Sequence, residues 1–460
     1  MDGTTYDIMV MGTGVTESML SGLMSLENQK ILHIDRNAYY GDDGASLNIT
    51  ALFNKFYPGK PVPDELLPNR DWNVDQIPKF IMAFGKLVKM IIKTKVTHYL
   101  NWKSVDGSYI YQWNKGGFFS SEGGAIEKIP ANDKEALASN LMSLFEKRRC
   151  QKFFKYVQDF DPKNTKTWDG RNPNMPFAQF IKDFSLEDNT IDFLGHGIAL
   201  YTSDIFLTRP TLEVIERIKL YIDSAGRFGD SHFIYPVYGL AGIPESFSRK
   251  CAVYGGTFML NVNITKITQD AASGLWDVQG VYEGQEVACR AKRIIANPVY
   301  ILSTGMGSLL RKGETITRVI CILDHPIKDL KNNMSSQIII PSKQTKRNSD
   351  IYVVFLGTNF GVCKKGYYLA IISGNKENEN VDVDFRVAFE IIGAVKYRFV
   401  TSSVLYSPID RSFRNGLAIT DSLDPTSHFE GAADNVLEIY KNITGKDLDL
   451  VITEKDEQES

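Results

Sequence analysis

Cysteine and histidine are scarce in this chain. The five cysteines, Cys150, Cys251, Cys289, Cys321 and Cys363, stand far apart and form no C-x-x-C pair. That argues against a zinc site or a disulfide framework, and a reduced, cytoplasmic setting is expected. The six histidines build no H-E-x-x-H motif, and the chain has neither a G-x-S-x-G elbow nor a P-loop. Ser231 and His232 are adjacent in "GDSHF", but sequence neighbours point their side chains apart, so no catalytic pair is expected there. Excess charge of one sign is lacking as well. With 52 basic and 55 acidic side chains the net charge is -3, which excludes the basic footprint of a general nucleic-acid binder. No apolar run is long enough to cross a bilayer, because lysines interrupt residues 77–95 every few positions. The N-terminal residues lack a basic-then-apolar signal and "EKDEQES" at the end carries no prenylation cysteine, so neither a signal peptide nor a lipid anchor is expected.

What is present begins with "YDIMVMGTGVTESMLSG", residues 6–22. An apolar strand runs into a Gly-Thr-Gly turn and a helix, and "KILHID" follows as a second, parallel strand, so the chain opens as a βαβ unit. In a dinucleotide site, backbone N–H groups at the helix N-terminus hold the pyrophosphate and an acid at the end of the second strand holds the ribose. Gly12 and Gly14 supply the turn, and Asp35, 21 residues after Gly14, stands where that acid belongs. The third glycine of G-x-G-x-x-G is missing, and Glu17 occupies its place. A carboxylate in the first helical turn suits the helix dipole, takes the position a phosphate needs, and repels it. Gly12, Gly14, Glu17 and Asp35 therefore read as a vestigial cofactor turn, with no cofactor and no metal expected.

Further along, residues 37–71 are rich in glycine, proline and asparagine and read as loop. Residues 77–94 place Ile77, Phe80, Ile81, Phe84, Leu87, Val88 and Ile91 at helical spacing, with Lys79, Lys86 and Lys93 on another face. The spacing predicts one core-packed helix with a solvated lysine edge, with a membrane-surface or partner-binding helix as the alternative. "NKGGFFSSEGG", residues 114–124, reads as a glycine-rich loop displaying Phe118 and Phe119. From residue 133 to about 229 the pattern is helical. One helix is expected over residues 133–160 with Asp133 as its N-cap, and another over residues 211–227. Strand patterns return after residue 256. The fold class is thus α/β (α+β), with a helical domain inserted between the βαβ opening and a strand-rich second half. Two aromatics, Tyr39 and Tyr40, follow the second strand, and one is expected to point inward and one outward. In "YGGTFML" the period of two puts Thr257 and Met259 on one face and Phe258 and Leu260 on the other, one face for the core and one for contacts.

The segments "GTGVTESMLSG", "HIDRNAYYG", "RDWNVDQIPKF", "EALASNLMSLFEKRR", "YPVYGLAGIPESFSR" and "YGGTFMLN" resemble those of the Rab GDP-dissociation inhibitors, in order and spacing, over residues 6–443. The related Rab escort proteins share the first motifs but are much longer, so the length of 460 points to the inhibitors. The resemblance implies a flavin-monooxygenase-like Rossmann-type domain with mixed sheets that binds no flavin, built from residues 1–127 and 232–445. It implies an all-helical isoprenoid-binding domain over residues 128–231, and residues 446–460 remain as an acidic tail. By the same resemblance, the protein would bind GDP-bound prenylated Rab GTPases, slow GDP release, extract them from membranes and carry them through the cytoplasm, touching membranes transiently. Its Rab-binding platform maps onto Tyr40, Gly242, Arg249, Thr257 and Met259, and a membrane-contacting loop onto residues 225–233. Gly242 is a departure, because the family motif carries an acid where this chain reads "YGLAGIP". The loop at residues 114–124 is longer than the family pattern. For the geranylgeranyl chain, Leu137, Leu141, Leu144 and Leu220 are candidate wall residues on the two expected helices. Two other readings stay open at this point: a flavin- or nicotinamide-dependent oxidoreductase, and an escort protein presenting Rab to geranylgeranyl transferase.

Overall fold

The strand Thr5–Met11 runs between Ile31–Ile34 and Gln285–Ala296, parallel to both. Flanked on both sides and covered on both faces, it is apolar without alternation, and Ile8, Met9, Val10 and Met11 are completely buried. The helix Val15–Leu26 joins it to Ile31–Ile34, so the βαβ opening is as expected. The computed structural model describes residues 4–114, 123–139, 142–229, 231–413, 415–453 and 456. Two seven-stranded sheets dominate it. In the first, Thr257–Met259, Ile31–Ile34, Thr5–Met11 and Gln285–Ala296 are parallel, Leu417–Ile419 pairs parallel with the end of Gln285–Ala296, and the hairpin partners Trp276–Tyr282 and Val262–Gln269 complete it antiparallel. The second runs Tyr397–Pro408, Leu310–Leu323, Tyr368–Asn375, Ile351–Leu356, Ser335–Ile340, Gly107–Asn114, Gly123–Lys128. Its long strand Leu310–Leu323 alternates between two cores. Ile320 and Ile322 join the main cluster, while Val319, Cys321 and Leu323 face the other. The mixed α/β class holds.

Between Gly123–Lys128 and Phe233–Pro236 the described elements are all helical. Here the structure corrects several expectations. Residues 133–160 are not one helix but two, Asp133–Ala138 and Leu144–Asp159. The first is capped by Asn132, whose Oδ1 accepts from Glu135 N, and Asp133 is its first turn rather than its cap. The second restarts at Ser143, whose Oγ accepts from Glu146 N. This Ser-x-x-Glu signature marks a helix start that apolar periodicity alone reads straight through. The second expected helix ends at Ser224 rather than 227.

Residues 77–94 also divide. Only Lys86–Lys93 is helical, and the stretch before it is extended, with Ile81–Met82 paired to Ile234 and Phe233. Pro78 and the N-cap Gly85 oppose a continuous helix. Lys79 is consequently not on a solvated edge. It is 1% exposed and donates to Asp424 Oδ1 at 2.5 Å and to the Thr426 carbonyl at 2.6 Å. Lys86 and Lys93 do lie nearer the surface, paired with Asp434 and Asp456. Leu448 and Leu450, in the expected acidic tail, pack against the main core.

Candidate functional site

Positive φ at Gly12, +101°, lets the chain reverse tightly between the opening strand and its helix. A pyrophosphate would sit beyond this turn, over Gly14 and the first helical N–H groups. The residues there do not suit it. Glu17 is buried, folds back over the turn, and accepts from Thr420 Oγ1 at 2.5 Å. Its Oε2 lies 2.5 Å from where a Cβ on Gly14 would be, so the carboxyl covers the glycine that a phosphate would approach. Asn297 closes the other side. Its Nδ2 donates to Asp42, 2.8 Å from the position of a Cβ on Gly12. Asp35, the expected ribose acid, is spent inside the protein: it accepts from Thr13 N and Thr13 Oγ1, both at 2.6 Å, and from Asn37 N at 2.7 Å. A residual cleft of about 260 Å³ remains beside Glu17, Asp42, Asn297 and Arg318.

The electrostatics differ from the simple picture of a repelling carboxylate. Burial pushes the Glu17 pKa up to about 7, with the Thr420 hydrogen bond opposing it. Burial, with Asp43 and Asp35 nearby, pushes Asp42 up to about 6. Steric filling and lost donors, more than fixed charge, are what close the site at neutral pH. Because the folded-state pKa of Glu17 lies above its ordinary 4.5, its contribution to stability is fully present below 4.5 and lost as pH rises through about 7. The loss amounts to at most about 3 kcal/mol. Glu17→Gln keeps the contact to Thr420 and removes the ionisation. Its melting temperature should exceed that of the parent near pH 8, match it near pH 5, and show a flatter pH profile between. Identical pH profiles for the two proteins would disprove this role.

Of the platform residues implied by the resemblance, Thr257 and Met259 are on the edge strand of the first sheet, Tyr40 packs on Phe258 of that strand, and Gly242 and Arg249 are on the helix that precedes it. Tyr40 is half-buried, its ring 6.2 Å from Phe258, while Tyr39 is 44% exposed, so one points inward and one outward. Phe258 also packs on His33, at 5.0 Å. Burial, followed by the charge of Glu245, raises the Tyr40 pKa and marks Glu245 as a close neighbour. Arg249, one turn after Glu245 on the helix Gly242–Val253, is exposed, with its guanidinium 4.6 Å from the Tyr99 ring. That helix turns at Gly255 into the edge strand Thr257–Met259, where Thr257 is exposed. The strand does not divide into one core face and one contact face. Met259 packs against the cluster of Met11, Leu32 and Ile34, and Phe258 against the main core. The sheet is covered on both sides, so only its edge is open. Gly242 begins the helix, and a Cβ there would meet Leu100 Cδ2 at 3.0 Å, which a modest shift of that leucine tip relieves.

Asp75 is a residue that sequence reasoning missed. It is 2% exposed and accepts from Leu240 N at 2.9 Å, from Ser46 Oγ and from Tyr235 Oη. Ser46 Oγ in turn accepts from Ala241 N at 3.1 Å. One carboxyl thereby fastens the segment leading into the platform helix. The sequence offers little signal for it, since Asp75 is one of four polar residues in "WNVDQIPKF".

Of the four candidate leucines, Leu144 is 65% exposed at the start of its helix, and Leu220 is half-buried against the core. Leu137 lies on the helix Asp133–Ala138 and its side chain is outside the described set; Leu141, Phe118 and Phe119 lie outside the described residues. The interior between the helices is aromatic instead. Phe153 packs on Phe177 and Phe184, and Phe177 on Phe206, with ring centroids 5.2 to 6.4 Å apart. At the end of the helix Thr211–Ser224, Gly226 bridges Gly229, Arg227 covers Phe84 at 3.9 Å, and Phe228 is 49% exposed. Ser231 is occupied by the Phe233 backbone, and His232 stacks on Tyr221 at 3.9 Å, so the two do not form a catalytic pair. Among the described residues no group of three or more acids, histidines or cysteines is placed to hold a metal ion, and no helix is long and apolar enough to cross a membrane.

The family model for GDP dissociation inhibitors matches residues 1–455. The chain is 42% identical to Rab GDP dissociation inhibitor beta of Rattus norvegicus over 448 residues, covering 97% of this chain and 96% of that protein. It is also 42% identical to a guanosine nucleotide diphosphate dissociation inhibitor of Arabidopsis thaliana over 450 residues, 97% of each. The solved Rab GDI of Plasmodium falciparum superimposes with a TM-score of 0.91 at 43% identity, covering 97% of this chain and 100% of that one. An oxidoreductase of Methanosarcina mazei shares the fold at 14% identity and a TM-score of 0.59. With whole-length matches of this kind, the chain belongs to the GDP dissociation inhibitor family.

Proposed function

We propose that this protein binds GDP-bound, prenylated Rab GTPases, slows their release of GDP, withdraws them from membranes and keeps them soluble in the cytoplasm. The observation that carries the reading is the match to Rab inhibitors over nearly the whole chain, with Arg249 and Thr257 exposed and Tyr40 half-buried for a partner to meet. Tyr and Arg are the usual anchors of protein interfaces, and here a half-buried ring and a guanidinium resting on Tyr99 present them in defined positions. Residues 1–127 and 232–445 form the platform-bearing domain, and residues 128–231 the lipid-binding one. The lipid enters between the helices Leu144–Asp159 and Thr211–Ser224, whose aromatic interior suits an isoprenoid better than the leucines named from sequence. Phe228, exposed at the tip of residues 225–233, is the apolar element of a transient membrane contact. The oxidoreductase alternative is disfavoured by Glu17 and Asn297, which occupy the turn a flavin would need. The escort-protein alternative is disfavoured by the 42% identity to the rat inhibitor over 96% of that protein.

Each buried methylene of a lipid is worth about 0.8 kcal/mol, but a bilayer offers the same gain, so only the difference between hosts drives extraction. The test compares prenylated with unprenylated Rab·GDP in detergent-free solution. Prenylated protein is expected to bind at least about tenfold tighter, about 1.4 kcal/mol. Equal affinities would remove the lipid from the proposal, and absence of binding to either form would remove the function.

A further inference from the structure

The helix Leu144–Asp159 has an outer face with an unusual composition. Its inner stripe is Glu146, Cys150, Phe153 and Val157, all buried. On the opposite stripe, at spacings of four and three, lie Arg148, Lys152 and Lys155, all exposed. None of these three has an ion-pair partner among the described residues. Arg149 differs, since it is tied to Glu146 at 3.1 Å and to the Ser185 carbonyl at 3.1 Å. The first acid on the exposed side is Asp159, at the far end. Exposed cations alone would be an ordinary solvated face. What sets this one apart is its tip, where Leu144 is 65% and Phe145 is 70% exposed, side by side in the first turn.

We infer that this face is a docking surface for anionic lipid headgroups, with Leu144 and Phe145 inserting at the membrane boundary and Arg148, Lys152 and Lys155 lying over the phosphates. The inference deepens the membrane contact proposed above and rests on that reading. From Leu144 to Lys155 the face runs roughly 16 Å at 1.5 Å per residue, enough to cover several headgroups. Two large apolar side chains in water are costly, and a cationic helix face ending in Leu and Phe is the composition of an interfacial helix. A nucleic acid or an acidic protein would use the cations but leaves the apolar tip in water, so the bilayer is the partner that satisfies both halves. Phe153 is on the stripe opposite the docking face, so a helix docked flat holds the aromatic interior one helix diameter, about 10 Å, from the lipid surface.

The experiment measures co-sedimentation of the full chain with phosphatidylcholine vesicles, with and without about 30% phosphatidylserine, at low and physiological salt. Binding is expected to the anionic vesicles and to fall with salt. Each basic residue near such a surface is worth about fivefold in affinity, so the triple variant Arg148→Gln, Lys152→Gln, Lys155→Gln should bind about a hundredfold more weakly. The variant Leu144→Ser, Phe145→Ser should weaken binding even at low salt. Phe228→Ala, on the separate loop proposed above to touch the membrane, should weaken binding to both kinds of vesicle alike and leave the salt dependence unchanged; a salt dependence lost with Phe228 would move the anionic dock to that loop. Thermal melting checks that each variant is folded, and all substituted positions are exposed. If the parent ignores anionic vesicles, or the triple variant binds them equally, the surface is not a membrane dock. Binding that is the same with phosphatidylcholine alone would equally overturn it. Unprenylated Rab·GDP affinity, measured in parallel, should not change in these variants; its absence in the parent would overturn the Rab reading instead, so the two failures are distinguishable.

Discussion

Arg249→Ala and Tyr40→Ala should each weaken the complex with Rab·GDP by about thirtyfold, on the order of 2 kcal/mol, without unfolding the protein. Arg249 is exposed and its guanidinium lies over Tyr99, so part of the entropy of ordering a long side chain is already lost before a partner arrives. Tyr40 is held by Phe258 on one side and leaves its hydroxyl near Glu245. Glu245, one turn before Arg249, acts on Tyr40, so the two sites share a neighbour and the double variant should depart from the sum of the single effects. Met259→Ala should behave differently. Its side chain is committed to the cluster with Met11 and Leu32, so it should cost stability as well as affinity. Isothermal calorimetry with unprenylated Rab·GDP, alongside melting curves, separates the two. Parent-like affinity in both Arg249→Ala and Tyr40→Ala would show that the GTPase docks elsewhere.

Asp75→Ala should have the largest effect on stability, on the order of 4 kcal/mol. It strips the acceptor from Tyr235 Oη, Leu240 N and Ser46 Oγ at once, and Tyr235 and Leu240 are buried with no route to water. Because Asp75 holds the chain just ahead of the helix carrying Arg249, Rab affinity should fall as well, though the carboxyl itself is buried. Asp75→Asn should cost far less, since its carbonyl oxygen still accepts from Leu240 N. Burial raises the Asp75 pKa to about 6, with the hydrogen bonds from Ser46, Tyr235 and Leu240 opposing it. The stability linked to its protonation is therefore present below about 3.8 and lost as pH rises through about 6. Chemical denaturation of the two variants checks the order; an Asp75→Ala protein as stable as the parent would mean that the network does not hold the loop.

A second titrating cluster joins the helical region to the second sheet. His196 places Nδ1 2.6 Å from Asp350 and Nε2 3.2 Å from Asp204, while Lys343 bridges Asp204 and Asp192. Burial lowers the His196 pKa, but hydrogen bonds and charge from Asp350 and then Asp204 outweigh it, and the net shift is upward. The imidazolium thus contributes stability below about 6.5 that is lost as pH rises through the elevated value, the same direction as Glu17.

Local patterns carried much of this protein. A strand, a glycine turn and a helix depend on neighbours a few residues apart, so the βαβ opening, the loss of the third glycine to Glu17 and the helical character of the middle of the chain could be read directly. The outward and inward tyrosines followed from the same kind of local rule. Other features depend on partners distant in sequence. Whether Lys79 meets water or Asp424 is decided 345 residues away, and a helical spacing of apolar residues cannot reveal that residues 77–84 are pinned to Phe233 and Ser427 instead. Asp35 looked free for a ribose until the fold brought Thr13 against it. Leucines and phenylalanines are equivalent in a periodicity count, so only packing could show that the helical interior is built from Phe153, Phe177 and Phe184 while Leu144 is left outside. Periodicity records which face of an element is apolar; the tertiary structure alone decides what that face meets, because the free energy of burial and pairing belongs to contacts the chain makes only after it has crossed itself.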